Sequence, residues 1–476
     1  MPRMFSFFLV PLYTELLPKE EYGRVNVIFA WMIFFNVVLS YGMETSFFRF
    51  LNKEGNKTNV IQTAAISIFW TSLLFLTTAL LFRNTIAGLS GYEVQFITYT
   101  IWILVLDALV VIPFSKLRAN GRPIYYAIIK IGNVVLNMGF NLFFLLVLPP
   151  LAAQHPDAWV SVLYVENFEI EYIFISNLIA SLLTFVVLLP DYFKLRWKFD
   201  FDLWKRMLRY SMPILVAGIA FAINEQFDKI LLEILLPAGI GIAETGVYSA
   251  CYKLGLFMVL FRTAYSLGIE PFFFSHASNP NAPQTYAVIT KYFVISGSFI
   301  LLAVIVFADL LKLMMLQDPS YWEAMKVVPL ILLANFFLGI YTNLSVWYKL
   351  IDKTYIGAYI SIIGAIITLA LNFILVPLFY RLGYNGYMGS AIATVCAYGT
   401  MMLLSYKLGS KHYPIPYDMK KIGAYLGLST LGGAVYFYGF RENYFVGIGL
   451  LALFLYFIIY NEKDTISQIL KRRTIN

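Results

Sequence analysis

Long apolar stretches, separated by short polar ones, occupy nearly the whole of this chain. They fall at residues 4–17, 25–50, 60–82, 96–114, 125–148, 172–189 and 207–236, and again at 246–272, 287–308, 327–350, 355–379, 386–406, 422–440 and 445–460. A helix needs about 20 apolar residues to cross about 30 Å of hydrocarbon, and most of the fourteen meet that length. The pattern therefore predicts an all-α polytopic membrane protein with fourteen transmembrane helices. The first stretch is short, and no small-residue cleavage site follows it, so it reads as a first helix and not as a signal peptide.

The longest connection, residues 149–171, is too short to hold a folded domain of about 50 residues or more. A membrane glycosyltransferase or polymerase would carry a sizeable extramembrane catalytic region, so the chain reads as a non-enzyme whose chemistry lies between helices. An internal repeat supports a duplicated six-helix unit. Glu21-Tyr22-Gly23 matches Glu244-Thr245-Gly246, and Gly42-Met43-Glu44 with Phe47-Phe48 matches Gly268-Ile269-Glu270 with Phe273-Phe274. Ala127, Asn137 and Asn141 align with Ala358, Thr368 and Asn372. An even number of helices per copy keeps both copies in the same membrane orientation, which predicts two parallel repeats about an axis along the membrane normal. The expected organisation is a bundle over 1–206, a second over 207–417, and two added helices with a tail over 418–476.

Composition is consistent with this class, with 60% hydrophobic and 13% charged residues. The formal net charge of +8 would suggest nucleic acid in a soluble protein, but its placement assigns it to topology. With the N-terminus on the cytoplasmic side, 24 of the 35 Lys and Arg residues fall in cytoplasmic connections and ends, 7 in the opposite loops and 4 within helices. That asymmetry follows the positive-inside rule and places both termini in the cytoplasm, with no nucleic-acid partner. Cys251 and Cys396 both fall inside apolar stretches, so neither a disulfide framework nor a zinc site is expected.

Charges inside spans cost about 2.5 to 3.5 kcal/mol each on insertion scales, so each needs a partner, a cavity or a function. In the seventh stretch, Glu225, Asp228, Lys229 and Glu233 share an arc of roughly 140° at helical spacing. They form either a self-satisfying ladder or the wall of a water-filled cavity. Lys253 and Arg262 in the eighth stretch are nine residues apart and fall on opposite ideal faces, so a distortion is needed for both to line one cavity. Lys253 is a candidate for an interhelical salt bridge; Arg262, near the midplane, suits an anionic ligand. Lys130, Asn133, Asn137 and Asn141 share one face of the fifth stretch, with polar counterparts Ser361, Thr368 and Asn372. Such asparagines serve as interhelical hydrogen-bond glue or line a polar path. Asp107, mid-span, is a proton or cation site or the partner of a nearby cation. Arg49 closes the second stretch at the cytoplasmic surface. Tyr248 and Tyr252, one turn apart, are core aromatics or sugar-stacking rings.

The stretch FLVPLYTELLPKEEYG at 8–23, with Tyr41-Gly42-Met43-Glu44, Phe48-Arg49-Phe50, the segment Leu117-Arg118-Ala119-Asn120-Gly121-Arg122, Asp228-Lys229 and Gly246-Val247-Tyr248, resembles the polysaccharide (oligosaccharide-lipid) flippases of the MOP exporter superfamily. The resemblance implies a V-shaped, MATE-like alternating-access transporter in the bacterial plasma (inner) membrane. Its substrate would be an undecaprenyl-diphosphate-linked repeat unit bound for O-antigen, capsule or exopolysaccharide. Membrane lipids and polysaccharide polymerase and assembly proteins would be its other partners. It implies no cofactor, with H+ or Na+ as coupling ion. Arg262, Lys253 and Arg49, with Lys130, Asn137 and Asn141, then become the substrate-binding candidates, and Asp228, Glu225 and Asp107 the ion-coupling ones. Relatives usually carry further residues before the first helix. Position 15 is Glu where they commonly carry a basic residue, so it takes no phosphate role. The rivals are a multidrug/cation antiporter of the MATE branch, which twelve spans and an acidic cavity would favour, and a lipid II flippase, which shares the architecture.

Overall fold

The computed structural model describes the backbone of residues 7–473, and their side chains except 270 and 464–473. The expected start of the first helix at Met4 and the side chain of Glu270 thus lie outside the described residues. Among those described, every regular element is helical. The chain forms two compact units, Met1–Ile230 and Leu231–Asn476.

The first unit contains α1 (Val10–Leu16), α2 (Lys19–Ser40), α3 (Met43–Lys53), α4 (Lys57–Leu81), α5 (Arg83–Ser90), α6 (Val94–Leu109) and α7 (Val111–Ala119). It continues through α8 (Pro123–Leu142), a π-helical turn (Phe143–Val147), α9 (Leu148–Gln154), α10 (Glu169–Leu188), α11 (Pro190–Phe193) and most of α12 (Phe201–Leu235). The second unit contains α13 (Ile240–Leu254), α14 (Leu256–Ser275), α15 (Ala282–Val306), α16 (Ala308–Met315), α17 (Val328–Leu344), α18 (Val346–Leu350), α19 (Tyr355–Arg381), α20 (Gly386–His412), α21 (Met419–Gly439) and α22 (Tyr444–Arg473). The unit boundary falls inside α12, whereas the sequence pattern places the start of a second bundle at 207. Most of α12 packs within the first unit: Ser46 Oγ donates to the Met207 carbonyl at 3.0 Å, and the Phe227 ring lies 5.4 Å from that of Phe34.

Among the described residues, twelve helical runs are long and apolar enough to cross a membrane. Two of the fourteen expected segments fall outside that set. Val10–Leu16 has seven residues. Met419–Gly439 has 21 residues, about 31 Å at helical rise, but Gly423, Gly427, Ser429, Thr430, Gly432 and Gly433 dilute its apolarity.

Breaks within the apolar runs arise from local chemistry and tertiary contact. Between α2 and α3, Tyr41 and Gly42 both take positive φ, at 33° and 69°. A Cβ on Gly42 would stand 2.9 Å from the Ser211 carbonyl, so both the backbone conformation and the closeness of α12 require glycine. Between α6 and α7, Pro113 has no amide to return to the Leu109 carbonyl, and Tyr192 Oη donates to that oxygen instead, at 2.7 Å. Polar side chains start other helices: the Asn56 side chain accepts from the Asn59 amide and Asp418 from that of Lys421.

The repeat is visible in element lengths. α4 and α15 each have 25 residues, and each is followed by one phenylalanine, Phe82 or Phe307, and then by an eight-residue helix. The two phenylalanines have φ, ψ of −95°, 8° and −94°, 12°. Their shared offset of 225 residues agrees closely with the sequence blocks.

Candidate functional site

In the first unit, α2, α6, α8 and α10 bring polar side chains together at membrane depth. Asp107 of α6 accepts a hydrogen bond from Ser181 Oγ of α10 at 2.9 Å, with Asn36 and the Lys130 ammonium near enough to act on the same carboxyl. Lys130 Nζ lies 4.2 Å above the Phe114 ring. One turn along α8, Asn133 donates to Thr184 Oγ1 at 2.9 Å. Further along, Asn141 is fully buried, accepts from Tyr13 Oη at 2.7 Å and donates to the carbonyl and side-chain oxygen of Asn137, both at 2.8 Å. Asp107 with Lys130, and Asn137 with Asn141, are thus two sets of candidates brought together.

On the acidic face of α12, adjacent residues pair. Asp228 is 1% exposed and Lys229 Nζ reaches it at 2.9 Å, while Nζ also lies 3.4 Å from the Glu225 carbonyl. Neighbours in sequence therefore form a buried ion pair, and Glu225 contributes its backbone oxygen with its own side chain half-buried.

Near the ends of α3, α7 and α11, an ionic rim gathers. Arg49 is exposed and its guanidinium lies 4.1 Å over the Tyr210 ring. Arg118 pairs with Glu44 and lies over Phe48 and Tyr126. Lys116 pairs with Asp191 at 2.8 Å and Arg206 with Glu54 at 2.8 Å. Glu44 and Arg118 belong to separate sequence motifs, and only the fold shows that they are partners.

In the second unit, the run that contains Lys253 and Arg262 is broken at Gly255, where a Cβ would stand 2.7 Å from Ile331 Cγ2. The break lies between Lys253 and Arg262. Arg262 is half-buried on α14, its Cγ 3.6 Å from the place a Cβ on Gly339 of α17 would take. One turn along both helices, Tyr265 Oη donates to Asn343 Oδ1 at 3.1 Å. These two residues line a small, open cleft together with Ser266, Thr342 and Lys349 over an apolar floor that includes Ile269 and Phe273. Tyr248 is fully buried and packs edge-on against Tyr252, 5.8 Å away.

Sequence reasoning did not single out three further charged groups. Glu244, in the Glu-x-Gly block, accepts from the Tyr387 amide at 2.9 Å, so α13 caps the first turn of α20. Burial pushes its carboxyl up to about 7, with the Glu323 charge adding to the rise and the Gly386 and Tyr387 amides opposing it. Glu462, 2% exposed on α22, binds Lys291 of α15 at 2.6 Å and Lys421 of α21 at 3.0 Å. At the other end of that hairpin, Arg441 forks onto Asp309 at 2.8 and 2.6 Å, and Lys312 joins at 2.8 Å. Burial raises the Asp309 carboxyl, but the Arg441 and Lys312 bonds outweigh it and hold it below the usual carboxylate range. Cys251 and Cys396 are unpaired, and the described residues contain no His, Cys, Asp or Glu group able to hold a metal.

A family model described as polysaccharide biosynthesis protein matches residues 1–275. A lipid II flippase, MurJ in an inward closed conformation, is structurally similar over 98% of both chains, with a TM-score of 0.74 and 16% identity. An inward-facing multidrug resistance MATE transporter of the MOP superfamily matches over 89% of this chain and 95% of its own, with a TM-score of 0.63 and 12% identity. An outward-facing multidrug resistance MATE transporter of the MOP superfamily gives a TM-score of 0.57 and 13% identity, over 89% of this chain and 92% of its own. No curated protein sequence matches the chain. The likenesses to solved structures show the fold, an all-helical architecture like that of this flippase and these MATE transporters.

Proposed function

This chain belongs to the polysaccharide biosynthesis protein family, and from that premise we propose that it is a flippase moving polyprenyl-diphosphate-linked oligosaccharide units across the plasma membrane by alternating access. Family membership over residues 1–275 carries the reading. The flippase-type fold over 98% of the chain supports it.

A diphosphate with attached sugars cannot cross about 30 Å of hydrocarbon unaided, because its hydration would be lost without replacement. Fixed cations and hydroxyls must take the place of water. Arg262 offers a guanidinium fork suited to phosphate oxygens, with Lys253 in support. The adjoining cleft of Tyr265, Ser266, Thr342, Asn343 and Lys349 offers hydroxyl, amide and ammonium groups of the kind sugars and phosphates accept. Arg49, exposed at the basic end, makes the first contact with the headgroup. Lys130, Asn137 and Asn141 supply further ammonium and amide groups for the substrate within the first unit. Asp228, Glu225 and Asp107 bind the coupling proton or sodium ion. Both termini lie in the cytoplasm, in keeping with the cation asymmetry. The polymerase and assembly proteins act on the product beyond the membrane.

Arg262→Ala tests the phosphate role. Surface polysaccharide should be lost while protein abundance stays near normal, since a half-buried ligand-binding cation is not required for folding. Normal surface polysaccharide in that variant would assign Arg262 to structure alone.

A further inference from the structure

The connection between α9 and α10 has no part in this function, yet it is firmly built. Trp159–Leu163 forms a short 3-10 turn within it. Ser161 Oγ donates to the His155 carbonyl at 2.6 Å, and Tyr172 Oη both donates to the Leu163 carbonyl and accepts from the Val165 amide, each at 2.7 Å. The fastened segment presents apolar side chains outward: Trp159 is 81% exposed, Val162 82%, and Leu163 and Val165 are each 48% exposed.

The depth of its attachment follows from the helices. The Tyr172 ring stacks on Phe144 at 5.1 Å and 4°. Phe144 lies ten residues before the helical run ends at Gln154, about 15 Å along its axis at 1.5 Å per residue. A loop bonded to Tyr172 therefore folds back down the flank of α9 and does not project beyond it. The wide turn at Phe143–Val147 has a local cause: Pro149 and Pro150 lack the amides that would return to the carbonyls of the preceding turn. Charge narrows the choice of partner. The chain has no Lys or Arg between Lys130 and Lys194, and the loop's charges are the acids Asp157 and Glu166. Anionic surfaces are disfavoured, while a neutral boundary suits an outward Trp among valine and leucine.

We propose that residues 159–165 form an interfacial foot, seated in the headgroup–acyl boundary of the bilayer beside α9 and α10. The partner is the lipid surface. The foot rests on the membrane-spanning fold and not on the transported substrate.

Trp159-specific emission, taken as the difference between the wild type and Trp159→Phe in proteoliposomes of zwitterionic phospholipid, tests this. The emission should be blue-shifted, quenched by phospholipid brominated high on the acyl chain, and little affected by aqueous iodide. A nitroxide at Val162→Cys gives an independent reading, with oxygen colliding more often than a water-soluble nickel chelate. Red-shifted emission quenched by iodide, or a label favouring the nickel chelate, would overturn the proposal. Shielding that arises only on adding a soluble protein or free glycan would overturn it equally, by assigning the patch to that partner.

Discussion

Lys229 and Asp228 show how much a single side chain carries when no water can replace it. Separating a buried pair leaves one charge in low dielectric, at a cost of about 3–5 kcal/mol. Lys229→Met should lower the detergent-solubilised protein's unfolding temperature, and adding Asp228→Asn should recover part of the loss; a thermal melt reads both. Glu244 gives the pH-dependent counterpart outside the membrane-spanning segments. Its folded-state carboxyl lies near 7, above the usual value, so its neutral form favours folding. The stability it contributes is complete at acidic pH and is lost as pH rises through about 7. Glu244→Gln should flatten that dependence between pH 5 and 8 by about 1 kcal/mol, allowing for solvent screening at a partly open site. An unchanged melting profile would remove Glu244 from the account. The sequence made the ionic face of α12 legible because charges inside an apolar run are conspicuous. The role of Glu244 was hidden because its partner is a backbone amide 143 residues away.

At the scale of elements, apolar runs located the helices but not their interruptions. The Tyr41-Gly42 break lies inside one continuous apolar stretch, and its cause is the Ser211 carbonyl of another helix, which no local pattern encodes. The Gly255 break is similar, since glycine there answers to Ile331 of α17. Membrane helices that are apolar on all sides leave no periodic face to read, so packing partners remain invisible until the chain is folded. The repeat, by contrast, was legible from short blocks and is reinforced by the matched 25- and eight-residue helices. The C-terminal hairpin of α21 and α22 is tied at both ends, by Glu462 to Lys291 and Lys421, and by Arg441 to Asp309. Glu462→Gln keeps the shape but removes the charge. It should destabilise the hairpin's seat on α15 by about 2 kcal/mol, seen as faster proteolysis or hydrogen exchange in α22 without loss of α15–α17. Uniform exchange across the second unit would show that the tie is not local.

For the whole molecule, length and apolarity indicated a polytopic membrane protein, and the family match and the twelve long apolar helical runs among the described residues agree with that class. Substrate chemistry is the step that rests on individual residues: a guanidinium and a polar cleft in a setting where hydration is lost. Reconstitution tests it most directly. Purified protein would be placed in liposomes carrying labelled polyprenyl-diphosphate-linked oligosaccharide, and the label's exposure to a membrane-impermeant glycan-cleaving enzyme followed with time. The account predicts a protein-dependent increase in accessible label, accelerated by an imposed proton or sodium gradient and lost in Arg262→Ala. Label that stays protected, in liposomes where the same protein exchanges an organic cation for protons, would contradict it.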